Sequence, residues 1–149
     1  MRNEHGFSLI ELLIVVAIIG IIASLAIPGL QRARRYAQSG SAIQSLRTIT
    51  TAENLYERTH KVYATLADLA PEGTLDPNLA VGSKSGYTFT ITLGLDATDI
   101  ANGKLITFKA NANPEVDPAT GTYFYVDETA VIRFEEGAPA DGTSPPIPR

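Results

Sequence analysis

The sequence predicts an α+β protein in which a long N-terminal helix, membrane-spanning in its first half, packs on a small antiparallel sheet of about four strands. Three observations predict this class. Residues 7–30 carry no charge other than Glu11, apolar residues recur at helical spacing over 31–60, and later segments alternate between apolar and polar residues. A chain of 149 residues leaves room for one small domain beside such a segment.

The composition narrows the range of functions. The chain contains no Cys, which excludes a disulfide framework, a Cys-based zinc site and thiol chemistry. It has only two His residues, His5 and His60, so the usual catalytic bases are scarce. We expect no catalytic residue, no cofactor and no metal. A net charge of −4 also predicts no nucleic-acid partner.

The apolar segment at residues 7–30, here called the stem, is long enough to cross a membrane. As a helix it would measure about 36 Å, against a bilayer core of about 30 Å. A secretory signal peptide is the alternative, but its apolar stretch would be shorter, roughly 7–15 residues, with a small-residue cleavage site after it. The stem instead ends in Ile27-Pro28-Gly29-Leu30, without an Ala-x-Ala site. The transmembrane interpretation is therefore favoured.

Glu11 is the one ionisable residue in the stem. A charged residue at the centre of a bilayer costs about 2.5–3.5 kcal/mol, and less near the edge of the apolar run, where Glu11 lies. Two interpretations remain open. The carboxylate lies among lipid headgroups, protonated or not, or it pairs with a positive group on a neighbouring chain. The second interpretation requires a positive group that the stem itself lacks.

The N-terminal residues resemble the start of type IV prepilins and type II secretion pseudopilins. A short leader ends in Gly6, Phe7 follows, and Glu11 is the fifth residue after that junction. Gly20 and Pro28 also fall where many members of the family have them. The resemblance implies that prepilin peptidase cuts between Gly6 and Phe7 and methylates the new amine of Phe7. It also implies that Glu11 attracts the Phe7 amine of an adjacent subunit during assembly.

The resemblance also implies a function. It identifies the chain as a structural subunit of a type IV pilus-like filament, inserted in the bacterial inner membrane and polymerised through its N-terminal helix with copies of itself or related pilins. The leader would lie in the cytoplasm and the globular region outside, and the filament would be extracellular or periplasmic. Other implied partners are the inner-membrane assembly platform and, before assembly, membrane lipid. A pseudopilin of a type II secretion system is the alternative. A single-pass anchored binding protein or enzyme is disfavoured by the scarcity of catalytic residues.

Three arginines, Arg32, Arg34 and Arg35, follow the stem. The positive-inside rule alone would place them in the cytoplasm, whereas the family orientation places them outside. We adopt the family orientation, because the N-terminal motif is more specific than three charges. Residues 31–59 carry five bases and two acids, and residues 60–149 carry six bases and twelve acids. The arginines could therefore contact lipid headgroups or the acidic regions of neighbouring subunits.

Gly20, Ser24 and Pro28 weaken the stem helix at every fourth position. In lipid the helix should persist, because backbone groups freed there find no water. Two outcomes are open: a mild kink, or the local unwinding in the filament that the resemblance to pilins implies. Gly20 and Pro28 are therefore candidate assembly residues beside Glu11.

Residues 31–60 continue the helix with an apolar stripe expected to face the sheet. Glu53, Glu57 and Arg58 are expected on the opposite, polar face. The second half of the helix should belong to the core, because the remaining chain is marginal in size for a domain of its own. The stripe consists of Tyr36, Gly40, Ile43, Leu46, Ile49, Ala52 and Tyr56.

The rest of the chain is predicted to form short strands joined by turns, with a capping box at Thr65 that starts one helical turn. The predicted strands are 87–93, 105–110, 122–127 and 130–134, the last two forming a hairpin across Glu128-Thr129. The predicted organisation is a cleaved leader (1–6), a transmembrane and assembly segment (7–30), a globular pilin-like region that includes the second half of the long helix (31–134), and an irregular or disordered tail (135–149).

Two acidic pairs, Asp127-Glu128 and Glu135-Glu136, offer carboxylate oxygens of the kind that calcium prefers. Their spacing matches no known calcium loop, so solvated turn acids are the favoured interpretation. The major pseudopilins of type II secretion carry a calcium site near a Pro-Trp-Gly-like motif. This chain has no Trp, so the resemblance does not transfer that site.

Overall fold

The computed structural model describes residues 7–94 and 106–148. The chain forms two compact units, Met1–Ala37 and Gln38–Arg149, and we call the second unit the head. One helix, α1 (Leu9–His60), contributes to both units. The remaining elements belong to the head: α2 (Leu66–Leu69), a 3-10 turn (Ala70–Glu72), α3 (Pro77–Ala80), β1 (Ser83–Lys84), β2 (Tyr87–Leu93), β3 (Phe108–Pro114), β4 (Thr122–Asp127) and β5 (Arg133–Glu136).

Within residues 7–94 and 106–148, the sheet has five antiparallel strands in the order in which they occur in the sequence. This arrangement confirms the α+β class, and the strand beyond the predicted four is the two-residue β1, which pairs with the start of β2. β2 has the predicted bounds, and β4 and β5 form the predicted hairpin, in which Phe124 pairs with Phe134. The predicted capping box is also confirmed, since Thr65 and Asp68 each accept a hydrogen bond from the other's backbone N–H.

β3 extends well beyond the strand predicted at 105–110. Leu105 lies outside the described residues, and the observed strand starts at Phe108 and continues to Pro114. Its next inward side chains, Ala110 and Ala112, are fully buried. The prediction ended too early because Ala and Asn are weak strand formers, although the alternation continues through them.

β5 runs from Arg133 to Glu136 rather than over the predicted 130–134, because the turn after β4 is wider than two residues. Residues 135–136, predicted to begin the irregular tail, therefore belong to the strand. The Thr129 N–H donates to Asp127 Oδ1 at 2.9 Å, which bends the chain immediately after β4. Ala130 then adopts a φ of +59°, which is incompatible with a strand.

The core of the head lies between the second half of α1 and the sheet. Leu46 and Ile49 of α1 are fully buried, in one apolar cluster with Phe89, Phe108 and Val126 of the sheet. Burying a side chain of this size contributes roughly 1.5–3 kcal/mol. The prediction that the second half of α1 belongs to the core is therefore confirmed.

The predicted stripe on α1 is confirmed from Ile43 to Tyr56 and is wrong before it. Tyr36 is 78% exposed, and Gly40 is exposed as well. Tyr36 precedes Gln38, the first residue of the head, so it lies outside the unit that supplies the core. The helical spacing of apolar residues extends back along α1 to Tyr36, before the first residue of the head. Spacing alone therefore does not show where the head begins.

Glu53 was expected on the polar face and is instead fully buried. Its Oε2 accepts a hydrogen bond from the Ala64 N–H at 2.9 Å, which ties the end of α1 to the loop that follows. Its Oε1 has no hydrogen-bond partner in the described part of the chain. Burial raises the pKa of Glu53 from 4.5 to about 7; the Ala64 hydrogen bond opposes this rise, and the charge of Asp68 adds to it.

Residues 137–148 follow an irregular path beside β5. Arg133 forms an isolated antiparallel bridge with Pro146, the Phe134 N–H donates to the Pro145 carbonyl at 3.0 Å, and Ala140 is buried. This segment therefore covers the outer edge of β5. Its prolines lack the N–H group with which a further strand would pair.

Candidate functional site

The stem forms the first half of α1. The N–H groups of Glu11 and Leu12 donate to the Ser8 carbonyl at 3.1 and 3.2 Å, so the helix is established at Ser8. Phe7 precedes the helix and is 76% exposed, while Gly6 lies outside the described residues. Glu11 consequently lies in the first turn, where the positive end of the helix dipole favours a carboxylate.

The apolar side chains of the stem have no cover. Every Phe, Leu, Ile and Val in it is exposed, from 43% at Val15 to 80% at Leu9. Within the described residues, α1 is the one helix that is long and apolar enough to cross a membrane, and none of its most apolar window is buried. A contiguous apolar surface of this size marks a membrane or protein contact site. The exposed apolar side chains of the stem therefore suit contact with lipid or with other helices.

Glu11 is the one charged residue on this surface. Its side chain is exposed, and within 7–94 and 106–148 no hydrogen bond or ion pair reaches its carboxylate. Covering the surrounding apolar side chains would also remove water from Glu11, and a carboxylate without water or a partner is strongly disfavoured. A positive group beside Glu11 would offset that cost.

Gly20, Ser24 and Pro28 lie on one side of the stem, at successive fourth positions. α1 is continuous through Pro28, and the Ser24 hydroxyl donates to the Ile21 carbonyl at 2.8 Å. A Cβ added at Gly20 would meet no atom within 4 Å, so packing inside the chain does not require a glycine there. Small residues on a helix surface allow a second helix to approach closely.

The candidate residues therefore lie along an exposed helix and are not gathered in a pocket. Glu11, Gly20 and Pro28 are separated by turns of α1, and His60 lies at its other end, stacked on Tyr56 with ring centroids 4.1 Å apart. An arrangement of this kind suits association with other helices or with lipid rather than a reaction at one centre.

Of the acids considered as calcium ligands, Asp127 closes the turn between β4 and β5. It is buried, and its oxygens accept hydrogen bonds from the Thr129 backbone N–H and from the Tyr125 hydroxyl, the latter at 3.3 Å. Glu135 lies on β5 and pairs with Tyr123. The Asp-x-Thr spacing at 127–129 indicates this turn in the sequence, because Asp side chains commonly accept a hydrogen bond from the backbone N–H two residues later.

Comparison with known proteins gives a consistent picture. The family described as the prokaryotic N-terminal methylation motif matches residues 1–27. The type II secretion system core protein G of Escherichia coli is 32% identical over 89 residues, 57% of this chain and 61% of that protein. The type IV wide pilus major component of Thermus thermophilus is 41% identical over 63 residues, 42% of this chain and 48% of that protein.

A fimbrial protein of Moraxella nonliquefaciens matches over a greater length. It is 32% identical over 127 residues, which cover 74% of this chain and 80% of that protein. In the Escherichia coli and Thermus thermophilus proteins, by contrast, the match spans less than two thirds of the relative's length. No solved structure matches the chain.

Proposed function

Because the chain belongs to the family of type IV pilins and type II secretion pseudopilins, we propose that it is the structural subunit of a type IV pilus-like filament. The observation that carries this proposal is the stem, an exposed apolar helix with a single carboxylate in its first turn. Lipid covers such a surface before assembly, and the stems of neighbouring subunits cover it in the filament. The scarcity of catalytic groups supports a structural role without enzymatic activity.

We propose that the stem spans the inner membrane, with the leader in the cytoplasm and the head outside. Prepilin peptidase then cuts between Gly6 and Phe7 and methylates the Phe7 amine. The match of the methylation motif to residues 1–27 supports this step. The inner-membrane assembly platform would then collect processed subunits.

The Phe7 amine of one subunit would pair with Glu11 of its neighbour. Cleavage creates a positive group four positions before Glu11, and each stem then carries one charge of each sign near its N-terminus. Two opposite charges buried together offset much of each other's desolvation cost, whereas either alone is penalised. The pair would fix the axial position of apolar helices that otherwise slide past one another. Gly20 and Pro28, which weaken the stem helix, would allow it to unwind locally in the filament.

A pseudopilin of a type II secretion system is the second candidate. The similarity to the Escherichia coli core protein G favours it, and the similarity to the Moraxella fimbrial protein favours the pilus. Deleting the gene separates the two. Loss of surface filaments with protein secretion intact would indicate a pilus, and the reverse would indicate a pseudopilus.

Mass spectrometry of the mature protein tests the proposal directly. We expect a chain that starts at Phe7 and carries one methyl group on its amine, recovered from sheared filaments or from the membrane. A mature chain that starts at Met1, or one cut after residue 30, would overturn the assignment to a filament subunit.

A further inference from the structure

The turn of α1 that follows the stem presents bases and an aromatic ring to solvent. Arg32, Arg34 and Tyr36 are exposed, and we call these three residues the collar. Arg35 lies among them, but it already has an interaction of its own and is not part of the argument. Within 7–94 and 106–148, no ion pair reaches Arg32 or Arg34.

The collar surrounds the helix instead of forming a stripe along it. At 3.6 residues per turn, Arg34 lies about 200° around the axis from Arg32, and Tyr36 lies about 40° from Arg32. Along the axis the three residues span only about 6 Å. A helix that lies flat on a membrane carries its bases on one side. Bases on opposite sides at one level suit a helix that passes through the membrane surface.

Tyr36 marks the same level. It was predicted to lie in the core and is instead 78% exposed. Tyr and Trp are enriched where transmembrane helices leave the membrane, because the ring tolerates the acyl boundary and the polar group remains hydrated. The stem is about 36 Å long as a helix, against a bilayer core of about 30 Å. A stem that spans the membrane therefore holds the collar at the headgroups.

The charges indicate which lipids the collar meets. Residues 60–149, which make up most of the head, carry six bases and twelve acids, so an anionic surface repels this part of the chain. The collar, by contrast, is basic, so an anionic surface attracts it. In the orientation proposed above, the collar also lies on the side of the membrane where the positive-inside rule disfavours arginine. Lipid phosphates on that side would neutralise it, and guanidinium groups bind phosphate in a bidentate manner.

We propose that the collar binds the phosphates of anionic phospholipids in the leaflet on the C-terminal side of the stem, and so sets the depth of the subunit before assembly. This inference rests on the membrane insertion proposed above. Acidic groups of a second subunit are the competing partner for the same arginines, and the experiment distinguishes the two.

The chain has no Trp, so Tyr36→Trp introduces a single fluorescent reporter at the collar. The full chain carrying Tyr36→Trp is reconstituted in vesicles of phosphatidylcholine and phosphatidylglycerol, in which either lipid is replaced by its brominated form. We expect brominated phosphatidylglycerol to quench the reporter more strongly than brominated phosphatidylcholine at equal mole fraction. The ratio of the apparent association constants of phosphatidylglycerol and phosphatidylcholine at the collar, obtained from the quenching, should be about fivefold per arginine at low salt and should fall towards unity at molar salt.

Arg32→Gln with Arg34→Gln in the reporter chain should abolish the preference. Arg47→Gln with Arg58→Gln is the matched control, since it removes two exposed bases from the head part of α1 and should leave the preference intact. Equal quenching by both lipids in the unmodified reporter chain would overturn the inference, as would a preference that survives the loss of Arg32 and Arg34. If the collar variant shows unchanged quenching but forms no filaments, the arginines contact another subunit and not lipid. No quenching by either lipid would instead overturn the proposed membrane insertion.

Discussion

The two halves of α1 bury their apolar side chains by different means. In the head, Leu46 and Ile49 are covered by the sheet of the same chain, and neither is exposed. In the stem, Leu and Ile side chains as apolar as these are more than half exposed along the same helix. Local sequence makes both halves helical, but only the head contains its own partner. The stem is stable as a surface only in lipid or against other chains.

Each half also contains one carboxylate that illustrates the difference. Glu53 is fully buried, and the Ala64 N–H of the same chain supplies a hydrogen bond. Glu11 lies on an exposed apolar surface and has no such partner among the described residues. Folding supplies one hydrogen bond to the buried carboxylate of the head, whereas no described residue supplies one to the carboxylate of the stem. The predictions below test this contrast.

Removing the α1 part of the head should have the largest effect. A fragment of residues 33–149 should be soluble and should unfold cooperatively, because it lacks the stem and keeps Leu46 and Ile49. A fragment of residues 61–149 loses the α1 side of the core and should be unfolded or aggregated. Circular dichroism and thermal melting distinguish these outcomes. A cooperative transition in the shorter fragment would show that α1 is dispensable for the core.

Glu11→Val should abolish or strongly reduce filaments when it is the only copy expressed. Membrane insertion and cleavage should be unchanged, because the substitution makes the stem more apolar. Electron microscopy of sheared filaments and a cleavage blot of the membrane fraction provide the two measurements. Glu72→Val, which removes an exposed acid from the head, is the control and should leave filaments intact. Normal filaments from Glu11→Val cells would show that this charge does not drive assembly.

Leucine truncation compares the two halves of α1 residue for residue. Leu46→Ala should lower the unfolding free energy of the head by about 2–5 kcal/mol, because it leaves a cavity in a closed core. Leu25→Ala, at a site 76% exposed in the stem, should change it by less than about 0.5 kcal/mol. Both changes in unfolding free energy are measured by denaturant unfolding of the full chain in detergent, monitored through the spectroscopic signal of the sheet. Equal losses would mean that the stem contributes to the stability of the head.

Much of the fold followed from pattern alone. The alternation of β2 and the stripe around Leu46 and Ile49 are strong periodic signals, and the structure confirms both. Glu53 was misplaced because its residue type outweighed its position, although it lies seven residues after Leu46 and shares its helix face. Tyr36 was misplaced for a different reason. The residue of α1 at which the head begins depends on how far the loops of the head extend along the helix. Helical spacing in the sequence does not indicate that distance.

The candidate site was accessible from the sequence to a different degree. A specific motif identified Gly6, Phe7 and Glu11. The structure of a single chain does not test their proposed roles, because their proposed partners are other molecules. The collar residues Arg32 and Arg34 were visible as charges. The exposure of Tyr36 beside them, by contrast, required the structure.

The smallest expected effect is the pH dependence that Glu53 gives to the head. Its pKa is about 7 in the folded protein, against 4.5 as the ordinary value, because burial disfavours the charged form. Between these values the folded state binds more protons at this site than the unfolded state. The unfolding free energy should therefore fall as the pH rises from 4.5 to about 7. At about 1.4 kcal/mol per pKa unit, the fall is at most about 3.5 kcal/mol.

Glu53→Gln should remove most of this slope. The amide oxygen can still accept the Ala64 N–H, and no proton is bound or released at the site. The pKa values of Asp68, Asp76 and Asp141 are lowered, so these residues stabilise the head at pH values above the ordinary aspartate pKa. That stabilisation is lost only as the pH falls below this value, which is outside the pH range in which Glu53 titrates. Denaturant unfolding of residues 33–149 at several pH values measures the slope, with Glu57→Gln as the control on the same helix. A slope that persists in Glu53→Gln would assign the titration to another group, and the hydrogen bond from Ala64 would then be sufficient to keep Glu53 charged in the core.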